Sequence, residues 1–141
     1  MTAAPLILAH ADGIVRPYSA VAVHRGVAYP CGQVPVRPDG STPVDLAEQV
    51  HLVFDNLEAA LSRAGASLAS LLQVAVYLAD LAEFDDYNQA YLDRMSHRPL
   101  PPRTTIQVAG LRGAKRIEVA AIAAVTDSCP PTASSGSLFS H

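Results

Sequence analysis

The chain contains few aromatic and few charged residues. Its 141 residues include no tryptophan, and aromatic and charged residues make up only 6% and 16% of them. Half of the residues are hydrophobic, which excludes a disordered chain and predicts a compact domain with an aliphatic core. The length fits one domain. Such a low charge content also indicates apolar surface that is covered in an oligomer.

Features of nucleic-acid-binding, membrane and secreted proteins are missing. The net charge of −3 and the pI near 5.9 offer no basic face for nucleic acid. No apolar run is long enough for a membrane span. The first residues, MTAAPLILAH, lack the basic region and long apolar stretch of a signal peptide. We therefore expect a cytoplasmic protein that binds neither nucleic acid nor membranes.

Metal and cofactor motifs are also missing. The two cysteines, Cys31 and Cys129, lie far apart in the sequence, so a disulfide framework is not expected. The five histidines form no pair four residues apart and no cluster with ligand spacing. The glycines form neither a GxGxxG nor a P-loop pattern. The sequence therefore predicts no metal and no cofactor.

A β-hairpin is predicted near the N-terminus. Two apolar runs, residues 20–24 and 27–31, flank Arg25-Gly26, and a glycine-containing break between such runs is typical of a hairpin turn. Before the hairpin, residues 1–16 form an arm with one short apolar run, LIL.

Two amphipathic helices follow. The first is predicted to begin with Thr42 as its N-cap and to stop at Gly65. The second repeats the capping pattern at Asp80 and must end before Pro99. The apolar stripes of the two helices are Leu46, Val50, Val53, Leu57, Leu61 and Ala64 in the first, and Phe84, Tyr87, Tyr91 and Met95 in the second.

Three more segments, residues 72–78, 103–108 and 115–125, have the composition of strands. Two amphipathic helices can each bury a stripe only against one sheet, so we expect a two-layer α+β fold. Residues 1–125 would form a single domain, and residues 126–141, rich in serine, proline and glycine, a disordered tail. The apolar face of the first of these strands would consist of Leu72, Val74, Val76 and Leu78.

The segment PLPPRTTIQV, residues 99–108, holds the most informative charge. Prolines restrict the backbone, so the three prolines before Arg103 should set the position of that residue. In a strand, Arg103, Thr105 and Gln107 share one face, which is then entirely polar. An arginine held in this way is a candidate for ligand recognition.

Glu118 is the one carboxylate in the last strand, among small apolar residues. If the last two strands formed a tight hairpin turning at Gly110-Leu111, Arg103 and Glu118 would face each other. Residue types alone favour a cross-strand ion pair on a solvated face. The alternative is an arginine that binds a ligand carboxylate bidentately, with the glutamate free to hold water or transfer a proton.

Three other polar residues are weaker candidates. A cysteine is more often a small buried residue than a catalytic nucleophile, so we expect Cys31 to pack as an unreactive thiol. Tyr18, between a proline and a strand, is more typical of a packed aromatic with a hydrated hydroxyl than of a catalytic acid. Asn88 either lies on the helix surface or lines a pocket in which its side chain forms hydrogen bonds.

Together these segments resemble the RidA/YjgF family, the reactive intermediate deaminases, over roughly residues 14–125. The most specific part is the arginine strand followed, in order and spacing, by the Ile-Glu-Val strand. The matching motifs are Pro17-Tyr18-Ser19, Cys31-Gly32-Gln33-Val34-Pro35, Asn56-Leu57, Val76-Tyr77-Leu78-Ala79-Asp80, Phe84 with Asn88 and Tyr91, Pro102-Arg103-Thr104-Thr105-Ile106-Gln107-Val108 and Ile117-Glu118-Val119.

The resemblance implies a fold and an activity. The fold would be chorismate-mutase-like, with a mixed sheet of about six strands and two helices on one face. The chain would assemble as a homotrimer with ligand pockets at the subunit clefts. It would hydrolyse short-lived enamines and imines, such as 2-aminoacrylate, to 2-oxo acids and ammonia without a cofactor.

The resemblance also implies roles for individual residues. Arg103 would bind the substrate carboxylate, and Glu118 would orient or activate the attacking water. The pocket would be lined by Tyr18, Asn88, Thr105 and the backbone around Cys31-Gly32.

The chain departs from the usual family pattern at Arg16, Ala20, Cys31 and Arg112. These changes affect the expected substrate more than the reaction class. Two alternatives therefore stay open: a pathway-specific relative that acts on a larger imine, enamine or aminomuconate-like substrate, and a ligand-binding or protein-protective module without turnover.

Overall fold

The computed structural model of the chain describes residues 4–96 and 98–126. The predicted disordered tail begins at residue 126, and its residues 127–141, which include Cys129, lie outside the described residues. Within the described residues, no helix is both long and apolar enough to cross a membrane.

The architecture is one mixed sheet with two α-helices, which confirms the predicted α+β fold. Its six strands run in the order β1-β2-β3-β6-β4-β5. Two short 3₁₀ helices, Leu68–Ser70 and Leu81–Glu83, precede β4 and α2. The elements are β1 (Leu6–Leu8), β2 (Val21–His24), β3 (Val27–Pro30), α1 (Leu46–Arg63), β4 (Leu71–Leu78), α2 (Phe84–Met95), β5 (Arg103–Gln107) and β6 (Ile117–Ala124).

The N-terminal hairpin is confirmed. Strands β2 and β3 pair antiparallel, with His24 opposite Val27. The two turn residues, Arg25 and Gly26, both have positive φ, 51° and 77°. Positive φ at both central positions defines a type I′ turn, whose twist matches that of the strands it joins.

Helix α1 buries its predicted stripe completely and packs on the sheet. It starts later than expected: Asp45, not Thr42, is the N-cap, because Asp45 has an extended backbone and its carboxylate accepts a hydrogen bond from Glu48 N at 3.1 Å. The predicted stop at Gly65 is confirmed by its φ of 75°.

Helix α2 ends before the prolines, as predicted. Asp80 caps the 3₁₀ turn that leads into α2, its carboxylate accepting from Ala82 N at 2.9 Å. Tyr87, Tyr91 and Met95 are buried, and Phe84 is partly buried against the core.

Strand β4 contains a β-bulge that the alternation of its residues does not reveal. Its register with β6 shifts between Leu71 and Gln73, so Leu72 is the additional residue. Leu72 is therefore exposed, and its predicted place on the apolar face is wrong, whereas Val74, Val76 and Leu78 are buried as predicted.

The last two strands do not form the tight hairpin that would have placed Arg103 opposite Glu118. Strand β4 lies between β5 and β6, parallel to β5 and antiparallel to β6. The physical reason is that α2 forms a crossover between β4 and β5, and a crossover connection joins parallel strands. Consecutive strands near the C-terminus are therefore not neighbours in the sheet.

One buried polar side chain ties α1 to the segment before β6. Gln49 is completely buried. Its Nε2 donates to the carbonyls of Pro43 at 2.8 Å and Ala114 at 3.1 Å, and its Oε1 accepts from Arg116 N at 2.8 Å. Both hydrogen-bonding atoms of the amide are thus used, on the segment that leads into α1 and on the distant segment before β6.

Replacing Gln49 by alanine should destabilise the fold by about 3 kcal/mol, because it leaves one buried and two partly buried backbone groups without their partners. Urea unfolding measures the loss. The matched control is Gln89→Ala, which removes an exposed glutamine bonded only to Asp93 and should cost less than about 0.5 kcal/mol. Equal losses in the two variants would contradict the role of Gln49.

Candidate functional site

Arg103 is the first residue of β5, and its guanidinium lies beside α2. Its Nη1 donates to Asn88 Oδ1 at 2.8 Å. Its Cζ lies 4.6, 5.3 and 5.8 Å from the ring centroids of Tyr91, Tyr87 and Phe84. Three rings and one amide therefore hold the cation in a single orientation through cation–π attraction and a hydrogen bond.

One edge of the Arg103 guanidinium is available to a ligand. Its Nε and Nη2 make no hydrogen bond, and the guanidinium forms no ion pair, with any of the residues 4–96 and 98–126. Other arginines, Arg16, Arg37, Arg94 and Arg116, each pair with an aspartate or glutamate. The Nε–Nη2 edge is a planar pair of donors that matches a carboxylate.

The proline segment positions Arg103. Helix α2 ends at Met95, and the carbonyl of Pro102 then accepts from Val74 N at 2.9 Å. Val74 is also the register partner of Arg103 in the β4–β5 pair. Pro102 is thus hydrogen-bonded to β4, which fixes the position of Arg103 next to it.

The polar residues of β5 share one face, as the alternation predicted, and this face points toward α2, which the sequence did not predict. Thr105 Oγ1 lies 2.9 Å from the hydroxyl oxygen of Tyr87. Gln107 Oε1 accepts from Leu81 N at 2.8 Å. Sequence reasoning missed the contact of Tyr87, although a tyrosine in a buried stripe signals that its hydroxyl needs a partner.

Glu118 lies on the opposite face of the sheet. Its register partner in β4 is Tyr77, three residues from Val74, the partner of Arg103, and residues an odd number apart point to opposite faces. The two residues are offset by three residues along the strands and by two strand spacings across the sheet, which puts their Cα atoms about 14 Å apart. The predicted ion pair between them is therefore wrong within one chain.

The Glu118 carboxylate lies against the backbone of Gly32. A Cβ at position 32 would overlap Glu118 Oε2. Gln33 holds this segment to β6: its N donates to Val119 O at 2.7 Å, and Val119 N donates to Gln33 O at 3.0 Å. Glu118 is partly buried, and its carboxylate forms no hydrogen bond or ion pair within the part of the chain that the structure describes.

Cys31 adjoins this carboxylate and is partly buried. Burial raises the pKa of the thiol, with a smaller contribution in the same direction from the Glu118 charge. A raised pKa keeps the thiol protonated at neutral pH, which disfavours a nucleophile. This agrees with the expected unreactive thiol.

Tyr18 belongs to the exposed loop before β2. Its ring packs edge to face on His10 at 5.3 Å, and its carbonyl accepts from His10 Nε2 at 2.9 Å. Nearby, hydrogen bonds to Asp12 raise the pKa of Arg16, and smaller contributions come from Tyr18 and Cys31. Arg16 therefore lies near both residues, but its charge is neutralised by Asp12 at 2.8 Å.

The predicted site residues thus form two groups in one chain. The arginine group, on the side of α2, consists of Arg103, Asn88 and Thr105. The glutamate group, on the other face, consists of Glu118, Gly32 and Cys31, with Tyr18 nearby.

Two surface clefts, of about 710 and 310 Å³, lie around the start of α1 and include neither Arg103 nor Glu118. Among the described residues, no three His, Cys, Asp or Glu side chains form a metal cluster.

Comparison with known proteins identifies the family. A family model described as Endoribonuclease L-PSP matches residues 10–125, which is most of the chain. The chain belongs to the RidA/YjgF family. The resemblance seen in the motifs is thereby confirmed.

Curated relatives within the RidA/YjgF family cover most of the chain. A RutC family protein of Pyrococcus abyssi is 34% identical over 111 residues, which are 77% of this chain and 87% of that protein. TdcF of Escherichia coli strain K12, which carries the name of a reactive intermediate deaminase, is 30% identical over 116 residues, 80% of this chain and 90% of TdcF.

Solved structures of RidA/YjgF proteins share the fold. The Rid family protein YyfA of Yersinia pestis matches with a TM-score of 0.79 and 26% identity, covering 86% of this chain and 100% of that one. TdcF of Escherichia coli, solved with bound serine, matches with a TM-score of 0.78 and 27% identity, covering 84% of this chain and 98% of TdcF.

Replacing Gly32 by alanine should displace the Glu118 carboxylate without unfolding the protein, because the overlapping oxygen ends a flexible side chain. We expect a change in Tm of less than about 4 °C, and a different Glu118 rotamer in a crystal structure of the variant. Gly110→Ala is the control, since a Cβ there meets nothing within 4 Å. An unmoved Glu118 in the Gly32 variant would refute the expected displacement.

Proposed function

We propose that this protein hydrolyses reactive enamine and imine intermediates that carry a carboxylate, such as 2-aminoacrylate, to 2-oxo acids and ammonia. The observation that carries the proposal is the free Nε–Nη2 edge of Arg103, held in place by Asn88 and three aromatic rings. Family membership, the deaminase name of TdcF, and the serine bound to TdcF, a small carboxylate, also support it.

The reaction requires little catalytic machinery. The enamine tautomerises to an imine, whose carbon is already electrophilic, so an enzyme has mainly to position a water and transfer protons. Glu118 would accept a proton from the water that attacks the C=N carbon and return it to the nitrogen, which leaves as ammonia. Addition of water and loss of ammonia involve no change in oxidation state, so the proposal includes no cofactor.

The site would be assembled from two copies of the chain. Arg103 and Glu118 lie on opposite faces of the sheet, too far apart to act on one small substrate within one chain. The face that carries Glu118 is apolar and open, with Ile7, Tyr29 and Ile106 between 46% and 48% exposed, which is typical of a surface that another copy covers.

A closed homotrimer fits these requirements. In a ring with one type of interface, the arginine group of each copy meets the glutamate group of the next, which produces three equal sites. Tyr18, Asn88, Thr105 and the backbone of Cys31-Gly32 would then line each pocket. The cytoplasmic location and the lack of nucleic-acid binding stay predictions from the sequence.

Variants of the two central residues test the reaction. With 2-aminoacrylate generated from serine by a dehydratase, we expect wild type to accelerate 2-oxo acid formation. Arg103→Ala should lower kcat/KM about 10- to 100-fold by removing a charge-assisted bidentate contact. Glu118→Gln should lower kcat about 100-fold or more, because a general base is lost.

The matched control is Arg37→Ala, which removes an exposed arginine that already pairs with Glu48 and should leave the rate unchanged. No acceleration by wild type would refute the proposed reaction. If pyruvate nevertheless raised the Tm of wild type, a binding module without turnover would replace it.

Mixing the two impaired variants tests the shared site. Co-expressed Arg103→Ala and Glu118→Gln chains, isolated as mixed trimers, should regain about a third of wild-type activity, because in each mixed ring one interface of the three joins an intact arginine to an intact glutamate. The mixed oligomers are isolated through two different affinity tags, and their mass is measured by light scattering. A site contained within one chain would leave the mixture no more active than the variants by themselves, and a monomeric mass would exclude the assembly.

A further inference from the structure

Two tyrosine hydroxyls of α2 near Arg103 differ in their contacts. Tyr87 is completely buried, and its hydroxyl lies 2.9 Å from Thr105 Oγ1. Tyr91 is 3% exposed, and its buried hydroxyl has no hydrogen-bond partner among the described residues. Both rings contact the Arg103 guanidinium. The two hydroxyls thus differ in their partners, although both rings pack on the same cation.

The direction of the Tyr87–Thr105 hydrogen bond follows from acidity. A phenol is a stronger acid than an aliphatic alcohol and therefore the better donor. Burial raises the pKa of Tyr87, against smaller opposing effects of Thr105 and Arg103, so the phenol keeps its proton at neutral pH. With Tyr87 as the donor, Thr105 Oγ1 accepts, and its own proton stays free for another acceptor.

Thr105 lies beside Arg103, where its hydroxyl can donate that proton to a ligand in a hydrogen bond. The two residues alternate on the same face of β5, with Cα atoms about 7 Å apart. Both contact Tyr87, Thr105 through the hydroxyl and Arg103 through the ring face. Thr105 is only partly buried, so a ligand on the free edge of Arg103 could reach its hydroxyl.

We propose that Tyr87 is a positioning residue for substrate recognition. By donating its phenolic hydrogen to Thr105, Tyr87 directs the Thr105 O–H toward the carboxylate that Arg103 binds. The carboxylate is then recognised by three donors, two from the guanidinium and one from the hydroxyl. This inference rests on the proposed function, since it requires a carboxylate at Arg103.

The test measures binding of pyruvate, the product of 2-aminoacrylate hydrolysis, by calorimetry. Tyr87→Phe and Thr105→Val should each weaken binding about tenfold, the value of a hydrogen bond to a charged group. The double variant should lose no more than either single variant, because both act on the same hydrogen bond. Thr105→Ser keeps the hydroxyl and should bind like wild type. Arg37→Ala, which changes an exposed residue that pairs with Glu48 away from Arg103, should also bind like wild type.

A purely structural role of Tyr87 makes a different prediction. Tyr87→Phe would then lower the Tm and leave the Kd for pyruvate unchanged, and that result would overturn the inference. Independent losses that add in the double variant would overturn it as well. Phenylalanine preserves the ring that packs on Arg103, and Thr105→Val tests the same hydrogen bond from its other side if Tyr87→Phe folds poorly.

Arg103→Ala separates this inference from the proposed function. If Arg103→Ala abolishes pyruvate binding and Tyr87→Phe does not weaken it, the carboxylate contact stands and the role of Tyr87 is wrong. If Arg103→Ala binds pyruvate like wild type, the carboxylate contact itself is wrong. Pyruvamide, the neutral counterpart of pyruvate, should bind weakly to every variant, because the contact depends on the negative charge.

Discussion

The parallel pairing of β4 with β5 is the constraint on which the site depends. Helix α2 crosses between these strands, so the polar face of β5 packs beneath the helix that connects them. This brings Arg103 to Asn88 and to the aromatic residues of α2, and it leaves β6 on the other side of β4. A hairpin of β5 with β6 would instead have joined Arg103 to Glu118 and neutralised both.

Holding an arginine beside a helix without a carboxylate has a physical cost, because a partly desolvated cation needs compensation. Three ring faces and one amide oxygen supply part of it. The remaining donors have no partner within residues 4–96 and 98–126. A rigid cation with an unused pair of donors binds an anion without reorganising, which is the arrangement that favours recognition and electrostatic catalysis.

Helix α1 holds the glutamate group in position, as α2 holds Arg103. Asn56 of α1 donates to the carbonyls of Val34 and Val36 at 2.9 and 3.1 Å. These bonds anchor the loop that carries Gly32 and Gln33 against β6, where the missing side chain of Gly32 leaves room for the Glu118 carboxylate. Each helix thus fixes one half of the proposed site, and the sheet keeps the halves on separate faces.

The sequence by itself determined the features that depend on residues close together along the chain. The two α-helices, the strands β2 to β6, the stripe of α1, the turn at Arg25-Gly26 and the polar face of β5 all follow from local periodicity and turn chemistry, whereas the short strand β1 and the two 3₁₀ helices were not predicted. The family and the identity of Arg103 and Glu118 as candidate residues also came from local motifs. Only the tertiary structure decided the strand order, the bulge at Leu72, the bond of Tyr87 to Thr105 and the opposite faces of Arg103 and Glu118. Alternation along a strand shows which residues share a face, but strand neighbours are set by contacts between distant segments, which no local pattern specifies.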